Sequence, residues 1–415
     1  MNIGRRHFLK STLGAGVLAA ATGCQRAKEE SEISLSLLDQ AAAAPVLNTG
    51  SISTPVNIAR IELLFNEDNY FVRTISTDGA EGTSITNSRA GYLYPILNKL
   101  VIPYFIGKDA RELESLIDGV YVYGSNYKLS GLALWCCVAW VEFSLLDLLG
   151  RMAGKPVGDL LGGVIRREIP IYIASDRRDT TPEEEAALLA RSLEETGAKA
   201  VKFKVGGRMS NNADSLPGRT ERLIPLVRKT LGDEITIHAD ANGSYDVPKA
   251  VEVGRLLEAH NTHFFEEPCP FDHLEETRRV ADILTLPIAG GEQETSLRRF
   301  RWMIRNGAVQ VVQPDLHYNG GFIRSSRVAR MAQAAGLPTT VHISGDGVGY
   351  VDMLHFASCT PDIGRFQEYK GGVSGSGAWY DPPLELKNGM IKVPASPGLG
   401  TTFDPEIILK AKRIE

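Results

Sequence analysis

The chain has 415 residues, of which 43% are hydrophobic and 23% are charged, an ordinary globular composition with room for one large domain and a smaller one. Its formal net charge of −5 argues against a general nucleic-acid binder, because such proteins are usually basic. The five cysteines form no CxxC pair and are too sparse for a disulfide scaffold. The sequence has no uninterrupted apolar stretch of about 18 residues, so we predict no membrane-spanning helix in the chain that remains after removal of any signal peptide.

The N-terminal residues have the pattern of an export signal. Arg5 and Arg6 precede a small and apolar run that stops at the sequence ATGC. Residues 1–24 therefore resemble a twin-arginine signal peptide with a bacterial lipobox, although an ordinary basic helix is the alternative. We predict export by the twin-arginine route, and a periplasmic protein or a lipoprotein anchored to the membrane through a lipid on Cys24. Residues 25–55 show no periodicity and are predicted to be a tether.

Strand-like segments precede helical ones in the next part of the chain. The pieces IARIELLF and YFVRTIST, within residues 56–90, are rich in β-branched and aromatic residues and are followed by the turn TDGAEG. Residues 91–153 are predicted to be helical. The piece CCVAWVEFSLLDLLGRMAGK is apolar on nearly all sides, so we expect its helix to be buried.

From about residue 168 onward, apolar strand-like runs alternate with amphipathic helical stretches. Repeated strand–helix units favour parallel strands, and eight such units favour a closed (β/α)8 barrel. An open doubly wound sheet is the alternative, but the first run lacks the Gly-rich phosphate turn expected there. The runs are IPIYIAS (169–175), AVKFKV (200–205), ITIHADAN (235–242), HFFEEP (263–268), LPIAGGE (286–292), VQVVQPD (309–315), PTTVHIS (338–344) and RFQEY (365–369).

Acidic residues recur at the carboxyl ends of these runs, which is where such barrels place their chemistry. Asp240, Glu266 and Glu292 end three successive runs. One such residue alone is as well explained by a salt bridge, but three carboxylates on adjacent strands can hold one Mg²⁺ ion. Glu267 and Glu294 are neighbours that we expect to support these ligands. The absence of a His/Cys cluster argues against zinc.

The other strand ends carry candidate acid and base groups. Lys202 and Lys204 alternate with apolar residues, so both point to one face of their strand; a solvated edge strand is the plainer explanation. The alternative is that the two lysines work together. Lys202 is then expected to lower the pKa of Lys204, so that Lys204 acts as a base, and Lys202 itself is expected to contact a substrate carboxylate. His342 is predicted to act from the opposite wall, oriented by Asp315. Glu368 is predicted to donate a proton to a developing oxyanion.

Four further residues are candidates for substrate contact. Asn242 shares a strand face with the metal ligands, and His317 follows a strand end closely. Ser175 and Arg177 follow the first run, where the far end of a substrate could be recognised; a structural role is the alternative for both. The loop at 206–219 is long for a strand–helix connection and is expected to reach over the site.

Together these residues resemble the enolase superfamily and, more narrowly, its mandelate racemase subgroup. The resemblance implies Mg²⁺ and a (β/α)8 barrel under an N-terminal α+β capping domain that the C-terminal tail completes. One departure is EGTSITN, 81–87, where the family often has a tight GxGE-like turn. The pieces that carry the resemblance are VKFKVG, HADANG, FFEEPCP, GGEQE, QPDLHYNGG, VHIS and FQEYK. The implied parts are the capping domain, 56–165, the barrel, 166–380, and the return to the cap, 381–415.

The resemblance implies abstraction of the proton α to a carboxylate. Lys204 corresponds to one base of the family and the Asp315–His342 dyad to the other, while Lys202 and Glu368 correspond to its partner lysine and electrophilic acid. We predict dehydration of a sugar acid to a 2-keto-3-deoxy acid. The alternatives are a racemase, epimerase or cycloisomerase of a related acid, and a non-catalytic sugar-acid-binding lipoprotein. Because barrels of this kind often assemble, we also expect a homo-oligomer.

Overall fold

The computed structural model describes residues 33–373 and 379–415. The predicted signal peptide, residues 1–24, and its Cys24 lie outside the described residues, as does the beginning of the predicted tether. Export and lipid anchoring therefore stay predictions from the sequence.

The described part of the predicted tether contains a docked helix. Helix α1, Leu35–Ala43, packs against the outside of the barrel described below. Leu38 is fully buried in a hydrophobic cluster of barrel residues, and Asp39 forms an ion pair with Arg301. The prediction of a tether over 25–55 is wrong for this helix. Its 9 residues bury a single side chain, which is too weak a periodic pattern to be recognised in the sequence.

An antiparallel sheet with helices on one side forms the first part of the fold. Its elements are β1 Ile58–Asn66, β2 Asn69–Ser76, β3 Glu81–Ile85, α2 Ala90–Ile96, α3 Ile102–Phe105, α4 Leu113–Val122, α5 Leu132–Ala153 and α6 Val157–Leu160. The sheet order is Lys412–Ile414, β1, β2, β3, so a strand from the C-terminal end of the chain completes it. The sheet and helices share one hydrophobic core.

The turn between β1 and β2 is a tight hairpin. Asn66 pairs with Asn69, and the two residues between them, Glu67 and Asp68, have positive φ angles of 46° and 68°. Two-residue turns with positive φ at both positions match the twist of the flanking strands, so the hairpin stays in register.

Helix α5 is the core that the sheet and the barrel share. Every residue from Leu134 to Gly150 is buried. By length and hydropathy α5 could cross a membrane, but 89% of its most apolar window is buried within the protein, as predicted for a core helix. Strand β3 packs directly on it, since a Cβ atom on Gly82 would lie 2.2 Å from the Ser144 carbonyl oxygen. On the barrel side, the Glu142 carboxylate accepts hydrogen bonds from the first two amides of the helix that begins at Phe322.

Alternating parallel strands and helices form the second part of the fold. Its elements are β4 Glu168–Ala174, α7 Pro182–Thr196, β5 Ala200–Lys204, α8 Arg219–Leu231, β6 Thr236–Asp240, α9 Val247–Ala259, β7 Phe264–Glu266, α10 Leu274–Ile283, β8 Ile288–Gly290, α11 Leu297–Arg305, β9 Val311–Val312, α12 Phe322–Ala334, α13 Tyr350–Cys359 and β10 Gln367–Tyr369. Strands β4 to β9 pair in parallel in chain order. Each strand lies within one of the predicted runs, except that β4 begins one residue earlier, at Glu168.

The strands close into a barrel. Single parallel bridges join Val312 to Thr339 and Thr339 to Ile363, so the run 338–344 takes the seventh position without forming a regular strand. Strand β10 then pairs in parallel with β4. The structure is therefore the predicted (β/α)8 barrel with an α+β part beside it.

Local sequence signals set the helix ends, as α7 illustrates. Pro182 occupies its first turn, and the Thr181 and Glu184 side chains form a reciprocal capping box. Gly197 ends the helix in the left-handed conformation at φ 71°, which a glycine adopts without steric cost.

The C-terminal segment contacts both parts of the fold. Its elements are β11 Tyr380–Asp381, β12 Leu386–Lys387, β13 Met390–Lys392, β14 Thr402–Phe403, α14 Pro405–Lys410 and β15 Lys412–Ile414. Within the predicted return, 381–415, the β12–β13 hairpin pairs with β4 of the barrel, whereas β15 pairs with β1 of the other sheet.

The docking of α1 can be tested with two adjacent leucines. Leu38 is 0% exposed and Leu37 is 45% exposed. Leu38→Ala should lower the docking free energy of α1 by about 2–5 kcal/mol, because it removes a buried side chain. We expect amide hydrogen exchange over Leu35–Ala43 to become at least about tenfold faster in Leu38→Ala and to stay unchanged in Leu37→Ala. Equal exchange in the two variants would show that α1 is not docked.

Candidate active site

Three carboxylates meet at the carboxyl ends of β6, β7 and β8. Asp240 and Glu266 are the last residues of their strands and are register partners, and Glu292 lies just beyond β8. All three are buried, and one oxygen from each lies within 4.8 Å of the others. The three predicted metal ligands are thus brought together.

The two lysines of β5 point toward these carboxylates. The Lys202 Nζ atom lies 2.8 Å from Glu266 Oε1 and 2.7 Å from Glu368 Oε1. Lys204 forms an ion pair with Asp240, and its Nζ atom lies 3.4 Å from Asp176 Oδ1. The alternating lysines therefore face the barrel interior, and a solvated edge strand is excluded.

The pKa of Lys204 differs from the sequence-based expectation. Burial lowers it and Lys202 lowers it further, but the carboxylates of Asp240, Glu266 and Glu292 together outweigh both, and the net shift is upward. The expectation of a lowered pKa had counted the neighbouring amine and not the carboxylate on the next strand, Asp240. In the same way Glu266 and Glu368 overcome burial and raise the pKa of Lys202 well above its usual value.

The predicted His–Asp dyad is formed. His342 Nδ1 lies 2.7 Å from Asp315 Oδ2, and Asp315 Oδ1 accepts a hydrogen bond from the Tyr318 amide at 2.9 Å. The other ring nitrogen, Nε2, lies 3.4 Å from Glu292 Oε2. Burial and the charge of Lys370 lower the pKa of His342, but Glu292, Glu368 and the hydrogen bond to Asp315 together outweigh them, so the net shift is upward.

The two candidate bases contact opposite ends of the row of carboxylates. Lys204 pairs with Asp240 on β6, and His342 lies beside Glu292, which follows β8. Glu266 occupies the strand between them. A ligand held at the carboxylates would therefore have the amine on one side and the imidazole on the other.

Glu368 is ionised, in contrast to its predicted role as a proton donor. Burial raises its pKa, but Lys202, Lys370 and His342 together hold the pKa well below the usual range. Its Oε2 atom also accepts a hydrogen bond from the Ile343 amide at 3.0 Å. The carboxylate compensates the buried ammonium of Lys202, which was not foreseen because the two residues lie far apart in the sequence.

The crowding of acids fits a bound cation with oxygen ligands. Glu267 lies next to this cluster, and burial together with Glu292 and Asp240 raises its pKa well above the usual value. Among the described residues, its buried Oε1 atom has no hydrogen-bond partner. Burial and the neighbouring acids also raise the pKa of Glu266 to about 8, although Lys202 opposes the shift. Carboxylate oxygens of this kind are the ligands that Mg²⁺ takes.

Glu294 has a different role from the one predicted. Its Oε1 atom accepts hydrogen bonds from the Thr295 and Ser296 amides at 2.8 and 2.7 Å, which holds the turn that leads into α11. Its Oε2 atom lies 3.0 Å from Arg299 Nε. The side chain lines a separate cleft next to Trp135 and does not support the metal ligands.

A polar cavity of about 530 Å³ opens above the carboxylates. It is lined by the predicted residues Lys204, Glu292 and His342, and by Asn242 and His317. The hairpin turn and the segment after β3 close it from the other part of the fold. These lining residues are Asp68, Asn69, Tyr70, Ile85, Thr86, Asn87, Ser88 and Arg89.

Asn242 and His317 are placed where a ligand could meet them. The Asn242 Oδ1 atom accepts a hydrogen bond from Arg178 at 2.6 Å. His317 Nδ1 accepts a hydrogen bond from Trp140 Nε1 at 3.1 Å, so its proton is on Nε2. Burial lowers the pKa of His317 to about 4, and the ring is neutral near pH 7. Lys202, the other predicted contact, is 1% exposed and does not line the cavity in the described structure.

Ser175 and Arg177 face elsewhere. Both line a neighbouring cleft of about 810 Å³ and not this cavity in the part of the chain that is described. The Ser175 hydroxyl accepts a hydrogen bond from the Arg177 amide at 3.3 Å, and the Arg177 carbonyl accepts one from Arg219 at 3.3 Å. Asp176, between them, is the residue that lines the active-site cavity.

Several lining residues were not predicted. Lys370 follows Glu368 by two positions, and the same alternation that identified Lys202 and Lys204 could have identified it. Arg208 belongs to the loop that was expected to cover the site. Arg89 comes from the segment after β3, and no pattern in the sequence connects it to the barrel.

Comparison with known proteins agrees with this arrangement. Residues 184–407 match the family model of enolase C-terminal domain-like proteins. An arabinonate dehydratase from Saccharolobus solfataricus is 30% identical over 333 residues, which cover 78% of this chain and 84% of the relative. A D-galactarolactone cycloisomerase from Agrobacterium fabrum is 28% identical, and the matched residues make up 74% of this chain and 81% of the relative.

A solved structure shows the same fold. It is the mandelate racemase/muconate lactonizing protein from Paracoccus denitrificans PD1222, complexed with magnesium. Its TM-score is 0.79 at 27% identity, and the matched residues make up 86% of this chain and 99% of that protein's chain. The family model covers more than half of this chain, and the dehydratase relative is similar over most of both proteins. The chain therefore belongs to the enolase superfamily, in its mandelate racemase subgroup, and is an enzyme of the lyase or isomerase type.

Proposed function

We propose that this protein is a Mg²⁺-dependent dehydratase that converts a sugar acid to a 2-keto-3-deoxy acid through removal of the proton α to the carboxylate. The observation that carries the proposal is the position of Lys204 and His342 at opposite ends of the buried carboxylates. The polar lining of the cavity suits a substrate with several hydroxyl groups. Relatives named as dehydratases of arabinonate, gluconate and galactonate support this substrate class.

Asp240, Glu266 and Glu292 would hold the cation. When bound, Mg²⁺ supplies positive charge beside the substrate carboxylate, which favours loss of the α-proton. The protein adds the ammonium group of Lys202, kept charged by Glu266 and Glu368. Fixed charges of this kind favour a developing oxyanion by several kcal/mol each, on the order of what one preorganised donor supplies.

Lys204 and the Asp315–His342 dyad carry the protons. Lys204 accepts the α-proton from one side of the substrate, and the β-hydroxyl group takes a proton from the His342 side and leaves as water. Asp315 holds the His342 ring through Nδ1, which leaves Nε2 directed at the cavity. The resulting enol becomes the 2-keto acid.

Isomerisation of a related acid is the second candidate. When no hydroxyl group leaves, one of Lys204 and His342 would remove the α-proton from one side of the substrate, and the other would return a proton to the opposite side. The cycloisomerase among the relatives favours keeping this candidate. A sugar-acid-binding protein without activity is disfavoured, because it would have no need of both bases at the carboxylates.

The proposal is tested by incubating the enzyme with Mg²⁺ and a panel of sugar acids in D₂O. We expect at least one acid to form a 2-keto acid that carries deuterium at C3, and its recovered substrate to carry deuterium at the α-carbon. Lys204→Ala and His342→Asn should each lower keto-acid formation by about 10²–10⁴-fold, because each removes a proton carrier. Lys199→Ala, an exposed lysine just before β5, is the matched control and should stay active. Full turnover in both site variants would contradict the assigned roles.

Exchange without keto-acid formation would favour the isomerase. Absence of exchange with every acid tested would favour the binding protein.

Metal binding can be tested apart from activity by thermal unfolding with and without Mg²⁺. At about 100 times its Kd, a bound ion stabilises the folded state by about 2.7 kcal/mol, so Mg²⁺ should raise the Tm of the wild-type protein. Glu292→Gln should lose most of this increase because it removes a ligand. Glu294→Gln should keep it, because Glu294 is a buried acid two positions away that holds the turn before α11. An equal Mg²⁺ response in both variants would exclude Glu292 as a ligand.

A further inference from the structure

Arg89 comes from the segment after β3 that helps to close the active-site cavity, and it lines that cavity next to Tyr318 of the barrel. Two phenol hydroxyls hold its guanidinium group. The Nη1 atom donates a hydrogen bond to the Tyr92 hydroxyl at 2.7 Å, and Nη2 donates one to the Tyr318 hydroxyl at 2.5 Å. The guanidinium carbon lies 4.7 Å from the centroid of the Tyr318 ring. The cation therefore has a fixed position at the cavity wall.

The charge of Arg89 has no counter-ion in the described part of the chain. Arg89 forms no ion pair there, although Asp68 and Asp346 line the same cavity. Burial raises the pKa of Tyr318, so its hydroxyl group is neutral near pH 7 and does not compensate the charge.

Most of the hydrogen-bond donors of Arg89 are also unused. A guanidinium group has five N–H donors, and the two tyrosine hydroxyls take two of them. The Nε atom is buried and has no hydrogen-bond partner among the described residues. A partly buried cation with unused donors requires an acceptor, preferably an anion, and the described chain does not supply one.

A row of contacts connects Arg89 to the metal-binding end of the site. His342 Nε2 lies 3.4 Å from Glu292 Oε2, and the His342 and Tyr318 ring centroids are 6.1 Å apart. Arg89 contacts the Tyr318 ring in turn. It therefore lies on the His342 side of the cavity. A ligand that is held by one end at the carboxylates and passes His342 can reach Arg89 with its other end.

We propose that the substrate is a sugar dicarboxylic acid, an aldaric acid, and that Arg89 determines specificity by binding its second carboxylate. The inference rests on the proposed dehydration and adds the class of sugar acid. The first carboxylate lies where Asp240, Glu266 and Glu292 would hold the cation. The hydroxyl-bearing carbons between the two carboxylates lie along the polar lining of the cavity.

The chemistry of the guanidinium group favours a carboxylate over the other possible end groups. Two of its N–H groups match the two oxygens of a carboxylate. The primary alcohol of an aldonic acid would leave the charge of Arg89 uncompensated. A phosphate group carries nearly two negative charges, and Asp68 and Asp346 on the same cavity would repel it more strongly than a carboxylate.

The test compares aldaric acids with the aldonic acids that differ from them only in the end group. With Mg²⁺, we expect kcat/KM for keto-acid formation to be about 100-fold or more higher for at least one aldaric acid than for its aldonic counterparts. Arg89→Met should lower kcat/KM by about 100-fold for the aldaric acid and by less than about threefold for the aldonic acid. Arg89→Lys should recover part of the loss, since it keeps the charge and not the paired donors.

Binding gives a second readout that does not depend on turnover. In the Lys204→Ala variant with Mg²⁺, calorimetric titration should give a Kd about 100-fold lower for the aldaric acid than for its aldonic counterpart. Adding Arg89→Met should remove this difference. The Mg²⁺-dependent rise in Tm should be unchanged in Arg89→Met, which shows that the metal-binding end of the site is intact.

The other outcomes overturn the inference. Equal or better turnover of aldonic acids, or of aldonic acids phosphorylated at the far end, would show that the second group is not a carboxylate. A preference for aldaric acids that Arg89→Met leaves intact, and that Arg208→Met removes, would assign the recognition to the other arginine of the cavity. If the wild-type protein forms no keto acid from either series, the proposed function fails. The titration then tests the contact of Arg89 by itself.

Discussion

The structure of the barrel mouth depends on the balance between two buried ammonium groups and the carboxylates around them. Lys202 lies within 3 Å of both Glu266 and Glu368, and Lys204 pairs with Asp240. Any one of these charges buried alone would cost several kcal/mol, so each requires the others. The same balance sets the protonation states: it raises the pKa of both lysines and keeps Glu368 ionised.

The regular features of the fold were predictable because they follow from side-chain periodicity. Eight apolar runs predicted eight barrel positions, and the acids at their ends predicted the meeting of Asp240, Glu266 and Glu292. The Asp315–His342 contact was predictable for the same reason, since adjacent parallel strands bring their carboxyl ends together. The seventh run was also recognised, although it forms single bridges and not a strand.

The errors arose where a side chain's direction is set by contacts distant in the sequence. Glu294 looks like a partner of Glu292 in the sequence, but its side chain holds the turn that leads into α11. Ser175 and Arg177 lie on either side of Asp176, the residue that does line the cavity. The sequence therefore located the right segment but not the residue whose side chain lines the cavity. Helix α1 was missed because its single buried leucine leaves no repeat, and its stability comes from the barrel surface it covers.

The β1–β2 hairpin brings Asp68 and Tyr70 over a cavity whose floor belongs to the barrel. These roof residues share no hydrogen bond with the charged floor among the described contacts. The roof of the cavity and the charged groups of its floor are therefore encoded by separate stretches of the chain. Substitutions confined to this hairpin would reshape the roof of the cavity and leave the costly ionic arrangement of its floor intact.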